Sequence, residues 1–160
     1  MHHSLRTREA YLDELRHWVA TCCRGVIARR DAKRDRVPAA MLDLLATPAK
    51  RRARTEANVW GPYQALGLEL GIPPFALAVL VLAAAPRLWG LIAFVYDDLG
   101  AKYQAVDASL LASLLGGAPQ MREAVARELR PDAALVRSGL ITLRGNAAVV
   151  TQRAVELLAA

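Results

Sequence analysis

The sequence predicts a mainly α-helical protein with a small β-hairpin near its C-terminal end. Three observations carry that expectation. The chain of 160 residues is rich in Ala and Leu and has few β-branched runs, a composition that favours helix. Gly71 to Asp98, GIPPFALAVLVLAAAPRLWGLIAFVYDD, holds a single charge, Arg87, before its closing aspartates and reads as a core segment for the rest to pack around. After Ser138 the pattern changes to short strand-like runs separated by a Gly-Asn pair.

The chain begins with a long amphipathic helix, predicted over Leu5 to Ala32. Leu12, Leu15, Val19, Cys22 and Val26 alternate spacings of three and four, and Tyr11, Trp18, Cys23 and Ile27 widen the stripe. Arg16, Arg24, Arg30 and Asp31 fall largely outside it. The band is wider than a two-position coiled-coil seam, so packing within the fold is its expected use, with self-association as the other. Val37-Pro38 opens a short helix that Thr47-Pro48 ends, and Lys50, Arg51, Arg52 and Arg54 form the densest basic run. Thr55 is suited to cap a further helix through Trp60, Tyr63, Leu66 and Leu70, with Gly71 where a left-handed residue is wanted.

Phe75 to Ala85 is uniformly apolar, with Pro73-Pro74 before it and Pro86 after. Proline fits the first turn of a helix and opposes continuation, so a short helix ending at Pro86 and buried on all sides is expected. A membrane span takes about 20 uninterrupted apolar residues. The proline, Arg87 and Gly90 break this stretch, so no span is expected. Asp107 is placed to cap a helix ending at Gly116-Gly117, and a helix follows from Pro119 to Leu129. Asp132 to Arg137 adds a turn, and strands at 140–143 and 147–151 flank Arg144-Gly145-Asn146. A last helix starts at Arg153. Helix, helix, helix, hairpin over residues 73 to 151 is the order of a winged helix. The expected organisation is therefore a helical extension, 1–70, and a winged-helix-like domain, 71–160.

The net charge of +6 sits unevenly. Residues 1 to 55 carry 13 Lys/Arg against 6 Asp/Glu, whereas the remainder is slightly acidic. That basic third suits nucleic acid, an acidic partner, anionic lipid or a solvated helix surface. The adjacent Cys22-Cys23 and three histidines make no disulfide framework or ligand set, and the charged N-terminus is unlike a secretion signal; a cytoplasmic protein without cofactor or metal is expected. No phosphate loop, nucleophile elbow, HExxH or CxxC occurs, and helical neighbours such as Asp97 and Asp98 point about 100° apart, so they do not converge as an acid/base pair. The expected role is non-catalytic. If the module reads DNA, Arg122 and Arg127 on the Pro119 helix and Arg144 on the wing are the candidate contacts, helped by Lys50, Arg51, Arg52 and Arg54.

Phe75, Leu80-Val81-Leu82, Ala85-Pro86, Phe94, Asp97-Asp98 and Leu110-Leu111 carry a resemblance to the N-terminal winged-helix region of AAA+ ATPases associated with extracellular contractile injection systems, the phage-tail-like particles. Arg130 to Leu143 is similar to that family's stretch before its wing. The chain departs from the pattern where Ala76-Leu77-Ala78 replace a polar Glu-Arg-Asp and where Tyr96 directly abuts the aspartates. It also contains no nucleotide-binding core. The resemblance implies a protein-interaction or assembly domain of an ATPase system, one that hydrolyses no ATP itself; a DNA-binding regulator is the alternative.

Overall fold

The structure, a computed structural model, describes residues 8–31, 67–101 and 105–159. The expected helix after Val37, the basic run Lys50 to Arg54, and Thr55, Trp60, Tyr63 and Leu66 lie outside these residues. Helix α1 is Arg8–Asp31, α2 Pro74–Leu88 and α3 Gly90–Asp98. Strand β1, Ala105–Asp107, leads into α4, Ala108–Leu114, and α5, Pro119–Glu128. A single turn, α6, Ala134–Arg137, precedes strands β2, Ile141–Arg144, and β3, Ala147–Val150, and α7 is Gln152–Ala159. The described protein is thus mainly helical with a small three-stranded antiparallel sheet.

Helix α2 is the pillar. Ala76, Leu77 and every residue from Val79 to Ala85 are buried, and α1, α3, α4, α5, α6, β3 and α7 all contact it. Burying a Leu or Val side chain stabilises by roughly 1.5–3 kcal/mol, so among the described residues this helix is the densest source of stability. The α1 stripe closes over one side: Leu15, Val19, Cys23 and Val26 join the same apolar cluster. Two arginines in its last turns fix that docking. Arg29 donates to the Ser113 carbonyl, and Arg30 donates to the Leu99 carbonyl at 3.0 Å. Gly71, at φ +69°, follows the helical turn 67–70 as expected, with the Ile72 amide donating back to the Gly67 carbonyl at 2.7 Å.

Pro86 does not end α2. The helix runs on to Leu88, and the reason lies in Tyr96. A proline lacks the N–H that would bond the carbonyl four residues earlier, here Leu82. The buried Tyr96 hydroxyl donates to that carbonyl at 2.7 Å and replaces the missing donor. Arg87, the charge that interrupts the apolar stretch, turns outward at one edge. Its guanidinium donates to the Val150 carbonyl at 2.9 Å and to Gln152 Oε1, stitching the end of α2 to β3 and α7.

The chain then bends by 105° at Trp89 and starts α3. No single helix among the described residues is long and apolar enough to cross a membrane; α2 and α3 together have the length but are broken by that bend. The enclosure expected for the Phe75–Ala85 helix does not extend to α3. Leu91 and Phe94 of α3 are 60% and 66% exposed, because the bend sets only one side of α3, with Ile92, Val95 and Tyr96, against the core.

The hairpin forms where the Gly-Asn pair placed it, Gly145 supplying the positive φ of +62° that the tight turn requires. It is not a lone hairpin. β1 adds to it, with Ala105 opposite Val149 and Asp107 opposite Ala147, in the order β1-β3-β2. Val106, Ile141, Ala148 and Val150 are the sheet's buried side chains. Asp107 leaves the sheet and caps α4, its carboxylate accepting the Leu110 amide at 2.7 Å.

Candidate functional site

The sequence-derived nucleic-acid candidates separate into two groups. Arg122 and Arg127 are exposed on α5, where Gln120, Glu123 and Ala126 share the open side, and Val125 turns into the core. Arg144 is exposed at the end of β2. None of these three makes an ion pair among the described residues; Arg127 Nε donates only to the Glu123 carbonyl, at 3.5 Å. Burial raises the pKa of the Glu128 carboxyl, and the neighbouring Arg127 guanidinium works against that shift. Lys50, Arg51, Arg52 and Arg54 lie outside the described residues.

A second surface escaped the sequence reading. On α3, Gly90, Leu91, Phe94, Asp97 and Asp98 are exposed together. At 100° per residue they occupy one arc of roughly 120°, with Phe94 at its centre. A Cβ placed on Gly90 would meet nothing within 4 Å, so nothing packs over the face one turn before the Phe94 ring. At the other end Asp97 and Asp98 stand in solvent. A signal was present: both aspartates fall three or four residues after Phe94, and an acidic pair on the same side as Leu91 marks a face that water reaches.

Cys23 and Tyr96 are titratable groups packed into the core. Cys23 is buried, and loss of hydration, reinforced by the neighbouring Cys22, pushes its thiol well above the ordinary range. Burial does the same to the Tyr96 phenol, which stays a neutral donor to Leu82. Among the described residues no three His, Cys, Asp or Glu side chains gather where they could hold a metal ion. A cavity of about 300 Å³ lies between α1 and the start of α2, lined by Trp18, Gly67, Leu68, Ile72, Pro74, Leu77 and Ala78. Among the described residues its lining is mostly apolar and includes no acid, base or nucleophile.

The chain matches no protein-family model, no curated protein and no solved structure.

Proposed function

We propose that this chain is a cytoplasmic, non-catalytic protein-interaction module of winged-helix type, the N-terminal or accessory part of an AAA+ ATPase system. The winged-helix reading is supported by the succession α2/α3, β1, α4, α5, β2, β3 and by the strand order β1-β3-β2. In that reading α4 and α5 are the helix-turn-helix pair and β2-β3 is the wing. The link to an AAA+ system rests on the sequence resemblance alone.

The observation that carries the docking role is the pair Leu91 and Phe94, large apolar side chains held in solvent on a helix whose opposite side is packed. Single exposed apolar residues are ordinary, but neighbours on one rigid face are the mark of an interaction site. The test is to mix the purified chain with the AAA+ ATPase of the same genome and follow the complex by light scattering. A defined complex, with no retardation of duplex DNA at moderate salt, is the expected result.

One arrangement favours a DNA-binding role as the second reading. Gln120, Arg122 and Arg127 are all exposed on the helix that a winged helix would lay in the major groove. That reading wins if DNA is retarded, if Arg122→Ala with Arg127→Ala abolishes the shift, and if no protein complex forms.

A further inference from the structure

We propose that the α3 face centred on Phe94 docks a basic amphipathic helix from a partner protein. This deepens the interaction role above and rests on it.

The face is built in two parts along one helix. Its first half is apolar: Leu91 and Phe94 are exposed beside Gly90, over which a Cβ would find open space. Rows of side chains three and four residues apart leave grooves that accept the ridges of another helix, and a glycine lets the two backbones come close. The second half is acidic. Asp97 and Asp98 close α3, where the aligned peptide dipoles already concentrate negative charge. Arg30 approaches this end, yet its hydrogen bond goes to the Leu99 carbonyl and not to either carboxylate. The ion pairs among the described residues both lie on α1, between Asp13 and Arg16 and between Asp13 and His17. Two exposed carboxylates at the negative end of a helix, without an ion-pair partner among the described residues, are placed to accept a cation.

Charge complementarity therefore selects the occupant. Phosphate, whether of a nucleic acid or an anionic lipid, is repelled by the aspartates. A second copy docked through the same face brings no cation, since Gly90–Asp98 contains neither Lys nor Arg. A helix with apolar residues along one side and Lys or Arg on the flank matches both halves at once.

The probe is a synthetic helical peptide with leucines on one face and lysines on its flank, compared with the same peptide carrying glutamates for lysines. Binding to the full chain is read from amide chemical shifts. Perturbations should centre on 90–98 for the lysine peptide, with binding about tenfold weaker or more for the glutamate peptide. Phe94→Glu should weaken the lysine peptide about tenfold or more, with the thermal midpoint unchanged because the ring is exposed. Asp97→Asn with Asp98→Asn should cost about three- to tenfold and flatten the salt dependence. The proposal is overturned if both peptides bind alike, if Phe94→Glu leaves binding intact, if the chain dimerises through this face, or if anionic phosphatidylserine vesicles bind in a Phe94-dependent way. If the ATPase complex forms and tolerates Phe94→Glu, the α3 assignment falls and the docking role stands. If there is no protein complex and DNA is retarded, both fall.

Discussion

Helices α2 and α3 are neighbours in sequence with nearly the same apolar composition, and the fold treats them oppositely. α2 is enclosed along most of its length, whereas α3 turns an arc containing its largest apolar side chain to water. What separates them is the 105° bend at Trp89, which carries α3 across the rim of the core instead of through it. Apolar content states how much surface is available for burial; only direction decides what covers it. The same bend brings Tyr96 back over Pro86, so the weak point of the enclosed helix is repaired by the half-exposed one.

The largest break in this contrast should come from the pillar. Leu80→Ala in α2 removes a fully enclosed side chain and should cost about 2–5 kcal/mol in urea unfolding, whereas Leu91→Ser in α3 should lie within about 0.5 kcal/mol of the wild type. Comparable losses at both positions would mean that α3 is covered in solution. Tyr96→Phe tests the repair. It leaves the Leu82 carbonyl buried without its donor and should destabilise by about 1–3 kcal/mol.

The pH dependence sharpens that result. The Tyr96 phenol has a folded pKa raised above its unfolded value near 10, so its contribution is complete below about pH 10 and is lost as pH rises toward the folded value. Alkaline unfolding should therefore be shallower in Tyr96→Phe than in the wild type. Asp107→Ala removes the α4 cap and should cost about 0.5–2 kcal/mol by the same measurement. The smallest effect is chemical: Cys23 should resist alkylation in the native protein and react only on unfolding, while the half-buried Cys22 reacts first.

Much of the architecture could be read from residue order. The α1 stripe, Gly71, the Asp107 cap, α5 and the hairpin all follow from local patterns that need no knowledge of the rest of the chain. β1 could not be read that way, because Ala105-Val106-Asp107 has no periodicity and becomes a strand only by pairing with β3. The passage of α2 through Pro86 was hidden for a related reason: the compensating hydroxyl belongs to the next helix. The α3 face lay between these cases. Its acidic pair and Phe94 were visible and correctly spaced, but the apolar composition of the stretch argued for burial. Periodicity places Arg122 and Arg127 outward and the wing places Arg144 there, and all three are exposed.

The pairing of β1 with β3 has a consequence for the order of events during synthesis. β1 is synthesised before α4 and α5, yet its partner strand emerges only after both. Until the ribosome has delivered Val149, the Ala105 segment has no edge to join, and closing so distant a contact is slow compared with winding a helix. Helices therefore wind first and the ribbon closes late, so a ribosome stalled before Val150 would hold a nascent chain whose α4-α5 pair is present but not yet tied to its sheet.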